Sequence, residues 1–182
     1  MRITISSSSN DLIDNKYKES AIKVCDYLSE TGWDLNWGSG SSSIMGICYN
    51  EFLKYNRKIY GYTSPKYVDD LNNLPNAEHQ IFDTTFDLKK NIFNDADVVL
   101  LLAGGTGTIS EFFAYLEEVR SNDINTILVI YNENNHFNST ISLIDDLVKR
   151  NFNSETIYNY FKVANTFEEF KNIIEEIKTN KN

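Results

Sequence analysis

The chain has little of what usually staples or anchors a protein from outside its own core: two cysteines, two histidines, two prolines and eight glycines in 182 residues. Cys25 and Cys48 fall on expected helices among apolar neighbours, a setting for buried reduced thiols rather than a disulfide. His79 and His136 are far apart in sequence, and neither has a Cys or His partner at metal-ligand spacing, so no metal is expected. Basic residues number only 17 against 26 acidic ones, a net charge of -9. A stripe able to neutralise a phosphate polymer is missing, which argues against nucleic acid as a partner. No apolar run approaches the roughly 20 residues of a membrane helix, and Met1 to Asn10 lacks the basic-then-apolar layout of a signal peptide. A cytoplasmic protein without a membrane partner is the expectation.

What is present is the composition of a globular protein, 41% apolar and 24% charged. The length suits one domain over residues 1–182, large enough to bury a core unaided. Asparagine is abundant, 23 residues scattered through the chain, and reads as compositional bias. Asn138-Ser139-Thr140 matches a glycosylation acceptor but carries no weight without a secretion signal.

Strand and helix patterns alternate from one end to the other. Met1 to Ser6 reads as a strand running into a serine loop, and a helix from Asn15 stops at Thr31-Gly32. Asp34 to Trp37 is a second strand, followed by the turn Gly38 to Gly46 and an apolar helix through Leu53. Lys58 to Thr63 is a third strand. Ser64 to Glu78 holds both prolines and reads as a surface excursion or lid. Thr85 to Phe93 is a short helix before Ala96 to Ala103, whose continuous run Val98 to Leu102 marks a parallel strand buried on both faces. After Gly104 to Thr108 come a helix with Ile109, Phe112, Phe113, Leu116 and Val119 on one face, a strand at Thr126 to Tyr131, and a helix over Ile141 to Val148. A last strand, Tyr160 to Ala164, precedes a capping box at Thr166-Phe167-Glu168-Glu169. The fold class is α/β: a Rossmann-like, open, mostly parallel sheet with helices on both faces.

Six of the eight glycines lie in two strand-to-helix turns, Gly38, Gly40 and Gly46 in one and Gly104, Gly105 and Gly107 in the other. Glycine costs backbone entropy, so its concentration at two such turns suggests bare backbone is needed there. In a parallel sheet these turns sit at the carboxyl edge and open into helix N-termini, whose free amides and dipole suit a phosphate. Thr106, Thr108 and Ser110, with Ser41 to Ser43 in the first turn, add hydroxyl donors. Taken alone, the second turn is also explained as a tight connection capped by Thr108. Neither the third glycine of the dinucleotide pattern nor a Gly-Lys-Ser/Thr ending is present, which disfavours a nicotinamide enzyme or an ATPase. Glu111 falls in what reads as the first turn of the following helix. It is either an acidic residue favoured by the helix dipole or a carboxylate placed near a sugar carbon, able to stabilise an oxocarbenium ion or orient a water.

Gly104-Gly105-Thr106-Gly107-Thr108-Ile109-Ser110-Glu111 resembles the Gly-Gly-x-Gly-Thr-x-x-Glu motif of the Lonely guy family, cytokinin-activating nucleoside 5'-monophosphate phosphoribohydrolases that also carry the label of possible lysine decarboxylases. No lysine here suggests pyridoxal phosphate chemistry. Ser7-Ser8 is similar to the family's serine turn, and Gly38 to Gly46, ending Ile44-Met45-Gly46, to its Gly-Gly-Gly-x-x-Gly-Leu-Met-Gly turn. The resemblance implies a Rossmann-like fold, a homodimer with the site near the interface, and no metal or organic cofactor. Its reaction is hydrolysis of an AMP-like nucleoside monophosphate to free base and ribose 5-phosphate. Carried over, Gly105, Gly107 and Thr108 hold the phosphate and Glu111 acts at the ribose. Ser7, Ser8, Gly38, Gly40, Met45, Gly46, Lys89, Gly104 and Thr106 complete the binding set.

Two positions depart from the family pattern. Its proline before the glycines is Ala103, and its Arg-Lys pair is Leu88-Lys89. Leucine cannot replace a guanidinium, so a role resting on that arginine is lost unless another cation supplies it; Lys89 and Lys90 are the candidates, with a solvated helix face as the alternative role of both. The alternatives are a non-hydrolytic nucleotide-binding protein of the same fold and a deoxyribosyltransferase-like enzyme. Tyr60, Tyr62 and Phe86 lie near expected turns as base-pocket candidates, with core packing the expected role for each.

Overall fold

The computed structural model describes residues 1–122 and 126–181. Seven strands run in chain order, each followed by helix or turn: β1 (Arg2–Ser6), β2 (Asp34–Trp37), β3 (Ile59–Thr63), β4 (Glu78–Ile81), β5 (Val98–Leu101), β6 (Ile127–Tyr131) and β7 (Phe161–Ala164). The helices are α1 (Asn15–Glu30), α2 (Ser43–Lys54), α3 (Thr85–Asn94), α4 (Thr106–Asn122), α5 (Asn138–Lys149) and α6 (Phe167–Lys181). All strands form one sheet in the order β4-β3-β2-β1-β5-β6-β7, and every pairing is parallel.

Residue alternation explains the layering. In β5, Val98 and Leu100 face one apolar cluster while Val99 and Leu101 face the other, so the strand is buried on both sides, as its unbroken apolar run requires. The first cluster joins the sheet to α1, α2 and α6 through Val24, Leu28, Phe52, Phe170 and Ile174. The second joins it to α3, α4 and α5 through Phe93, Phe112, Leu116 and Ile144. Each such side chain, fully withdrawn from water, contributes about 1.5–3 kcal/mol before the entropy of ordering is set against it.

Local stops are where the sequence places them. Gly32 takes φ 98° after α1, with Gly32 N–H donating to Ser29 O and Trp33 N–H to Leu28 O, a Schellman ending. Thr166 Oγ1 accepts from Glu169 N–H at 3.2 Å, while the Glu169 carboxylate reaches one residue further back than a capping box requires, to Asn165 N–H at 2.7 Å. Cys25 and Cys48 are buried free thiols on α1 and α2, their sulfurs 3.6 Å apart. The stretch after β3 is exposed over 65–70 but ordered as 3-10 turns at Pro65–Asn73, and it leads into β4, an edge strand too polar for its pattern to announce. Among the described residues, four of the six non-glycine residues at positive φ are asparagines, namely Asn56, Asn134, Asn135 and Asn151. Compositional bias therefore does not account for all of them, since asparagine tolerates the left-handed region that these turns use.

Candidate functional site

Strands β1 and β5 are neighbours, yet α1 leaves β1 toward the first cluster and α4 leaves β5 toward the second. The crevice between their carboxyl ends is the switch point where parallel sheets bind ligands. Backbone bonds stitch its walls together: Leu102 N–H donates to Ser6 O and Ser8 N–H to Ala103 O, both at 3.0 Å, and Met45 N–H donates to Ser8 O at 3.2 Å. The serine turn, the Gly104 turn and the start of α2 thus meet at one place. Ser7 Oγ is buried there without a hydrogen-bond partner among the described residues.

The two glycine turns differ in what their backbones already do. At the start of α2, Ser43 N–H donates to the Asp11 carboxylate at 2.8 Å and Ser43 Oγ to Asn10 O at 2.8 Å. A Cβ at Gly38 or Gly40 would stand 2.9 or 2.7 Å from Met45 side-chain atoms, and one at Gly46 would collide with the Ser41 carbonyl. Gly46 is therefore required by packing against fixed backbone, while Gly38 and Gly40 lie against the flexible Met45 side chain. At the start of α4 no described group accepts from the amides of Gly105, Thr106, Gly107 or Thr108. Gly105 and Gly107 have ordinary φ, and a Cβ on either would meet nothing within 4 Å. Among the described residues, no packing contact requires these two to lack a side chain.

α4 begins at Thr106, so Thr108 is not its cap. Thr108 is buried, and its hydroxyl fills the space that a Cβ on Gly104 would need. Thr106 stays exposed at the opening. Glu111 lies in the second helical turn rather than the first, beneath the open amides. Its Oε2 accepts from Ser6 Oγ in a short hydrogen bond. Burial pushes the Glu111 carboxyl above the ordinary glutamate range, opposed by the Ser6 bond and by the positive charge of Lys89. Lys89 Nζ donates to Ser110 Oγ at 2.6 Å, and Ser110 Oγ donates to Gly107 O at 3.0 Å, which ties the lysine to the first turn of α4. Leu88 turns instead into the second apolar cluster, and Lys90 is exposed.

Three contributors had escaped the sequence reading. Ser6 has a visible signal: with Ile3 and Ile5 facing the first cluster, Thr4 and Ser6 face the side of α3 and α4, where Thr4 Oγ1 reaches Ile92 O and Ser6 reaches Glu111. Asp11 and His136 have none, because their partners Ser43 and Gly104 are 32 residues away in each case. Of the base-pocket candidates, Tyr62 is a core residue whose hydroxyl donates to Asp95 at 2.7 Å. Tyr60 lies under the Arg2 guanidinium. Phe86 is 79% exposed, contrary to the expectation of core packing, because it sits on the outward side at the start of α3. It borders a groove of about 320 Å³ between α3 and α4, lined also by Lys89, Phe93 and Tyr115. Tyr115 Oη is buried without a partner among the described residues.

The family model described as "Possible lysine decarboxylase" matches residues 45–177, well over half of the chain. The chain belongs to this family, the Lonely guy group. Among its relatives is rice (Oryza sativa subsp. japonica) "Probable cytokinin riboside 5'-monophosphate phosphoribohydrolase LOG4", 24% identical over 149 residues, an alignment covering 81% of this Lonely guy chain and 65% of the rice protein. The Arabidopsis thaliana "Cytokinin riboside 5'-monophosphate phosphoribohydrolase LOG3" is 23% identical over 176 residues, 96% of this chain and 82% of its own. In fold, this Lonely guy protein is similar to the molybdenum cofactor carrier protein of Chlamydomonas reinhardtii, with a TM-score of 0.71, 12% identity and 98% of both chains covered. Among the described residues, no helix is long and apolar enough to cross a membrane.

Proposed function

We propose that the chain is a nucleoside 5'-monophosphate phosphoribohydrolase. The phosphate of an AMP-like substrate sits on the open amides of Gly105 to Thr108, where two glycines leave the approach clear. Ser7 Oγ offers a further hydrogen bond, and Lys89 supplies the positive charge that Leu88 does not. The turn at Gly38 to Gly46 shapes the wall through Met45 and leaves the anion to its counterpart. The homodimer that the resemblance implies belongs to this reading as its assembly.

The single observation that carries this reading is the placement of Glu111, a half-buried carboxylate one helical turn below the open amides at the switch point. Ionised Glu111 faces the anomeric carbon and stabilises the positive charge that grows as the bond to the base breaks. Water adds its hydroxyl to that carbon, its proton leaves with the base, and the products are free base and ribose 5-phosphate. The Ser6 hydrogen bond fixes the carboxylate rotamer and favours its charged form.

The test is incubation with AMP and its N6-substituted analogues, following release of base and ribose 5-phosphate. Release by the wild type and its loss in Glu111→Gln support the enzyme. Tight AMP binding without release would make the chain a carrier of a phosphorylated ligand. Exchange of added base onto a phosphate-free sugar would make it a transferase.

A further inference from the structure

We propose that His136 is a positioning residue of the anion seat: its Nε2–H donates to the Gly104 carbonyl and thereby aims the Gly105 amide at the phosphate. The inference rests on reading the Gly104 turn as that seat. His136 Nε2 lies 2.8 Å from Gly104 O and 3.1 Å from Gly104 N. One ring nitrogen carries either a proton or a lone pair, so it serves one of the two at a time. The contact with the oxygen is the shorter, and only a protonated Nε2 makes it favourable.

The consequence follows from the peptide plane. In a trans peptide the C=O of one residue and the N–H of the next point in opposite directions. A hydrogen bond that draws Gly104 O toward the loop between β6 and α5 turns the Gly105 N–H away from it, to the exposed side where no described group receives it. Without that bond, glycine at 104 and again at 105 leaves this peptide free to flip.

The histidine is itself held in place. Tyr17 of α1 and Phe137 meet its ring edge-on at centroid distances of 5.2 and 4.8 Å. The loop behind it hangs on buried Asn132, whose Oδ1 accepts from Phe137 N–H at 2.8 Å and whose Nδ2 donates to Asn138 and Asn165. Asn134 and Asn135, at φ 66° and 59°, carry the chain through the left-handed bend that delivers His136. A loop built this tightly around a ring touching the Gly104 turn is a support for that turn.

Two variants and two measurements on the unaltered protein test this. His136→Phe keeps the aromatic contacts and removes the hydrogen bond, whereas His136→Gln restores a donor. By calorimetric titration, His136→Phe is expected to bind AMP about tenfold more weakly than wild type, and His136→Gln to recover to within about threefold, the range set by one hydrogen bond to a charged site's frame. Without any variant, long-range 1H–15N spectra of the imidazole are expected to show the Nε2–H tautomer, and phosphate titration to move the Gly105 amide downfield. Undiminished AMP affinity in His136→Phe, no recovery in His136→Gln, or an Nδ1–H tautomer overturns the positioning role while leaving the phosphate seat intact. Failure of the wild type to bind AMP overturns the seat and the inference together.

Discussion

Two turns of the same make-up, three glycines each at the end of a parallel strand, have come to different uses. In the turn before α2, backbone amides are taken by Asp11 and by the Ser8 carbonyl, and the missing side chains make room for Met45 and Ser41. In the turn before α4, Gly104 makes room for Thr108, while the amides from Gly105 to Thr108 and the space beside Gly105 and Gly107 are left open among the described residues. Glycine clustering marks where backbone is crowded or approached closely; the neighbours decide whether the approaching group is part of the protein. An acidic side chain at the first turn also sets a negative charge where a phosphate would have to go, so the two turns differ in electrostatics as well as in occupancy.

The largest expected effect separates the chemistry of the open turn from everything else. Glu111→Gln lowers base release by about 10²- to 10⁴-fold, measured as kcat/KM for AMP, with AMP affinity retained. Because burial raises the Glu111 carboxyl, the folded protein holds that proton more tightly than the unfolded chain does, and stability falls as pH rises through the interval between the two pKa values. Above it, ionised Glu111 is a cost, so Glu111→Gln unfolds at a higher temperature than wild type near neutral pH, and the gap closes on acidification. The rate of the wild type loses its acid limb above the ordinary glutamate range for the same reason.

Identical substitutions in the two turns are expected to diverge. Gly46→Ala drives a Cβ into the Ser41 carbonyl and costs about 1–3 kcal/mol in a denaturant titration. Gly107→Ala meets no atom and gains up to about 1 kcal/mol from helix propensity. Yet it weakens AMP binding about tenfold by obstructing the anion, worth about one hydrogen bond. A Gly107→Ala protein that binds AMP as wild type does would erase the distinction between the turns. Lys89→Met is expected to weaken AMP about fivefold, a partly exposed charge acting through solvent, and to move the acid limb further up because Glu111 loses its cation. Smallest is Asp11→Ala, which frees Ser43 N–H at about 0.5–1 kcal/mol of stability and leaves AMP affinity unchanged. A gain in AMP affinity there would show that the first turn is also an anion site.

Strand and helix order was legible because periodicity is a local property: the run Val98 to Leu102 and the spacing of Val24, Leu28 and their neighbours each specify an element and its buried face. β4 was not, since the polar edge strand Glu78, His79 and Gln80 shows no apolar alternation and is held by main-chain pairing to β3 and by the long-range contacts of His79 with Ser39, Leu74 and Trp37. In the candidate site, the closeness of Glu111 to the Gly104 turn was legible because they share one short segment. The division between the turns was hidden, because it depends on Asp11, Ser8 and Met45 arriving from elsewhere in the chain. Leu88 and Lys89 could be named as a departure, but that one enters the core while the other reaches Ser110 follows from where α3 lies on the sheet.

Because the open amides and Glu111 belong to a single helix, α4 is a ruler as well as a scaffold. From Gly107 to Glu111 the axis advances roughly 6 Å at 1.5 Å per residue, a span fixed by the backbone and independent of any loop. Under the proposed function, a sugar is held in reach of the carboxylate only if its own anion is attached at the matching length. Moving the phosphate from one hydroxyl of the ribose to another would therefore strand the bond to be cut outside the carboxylate's range, and one residue added to α4 before Glu111 would rotate that carboxylate by about 100° away from the crevice.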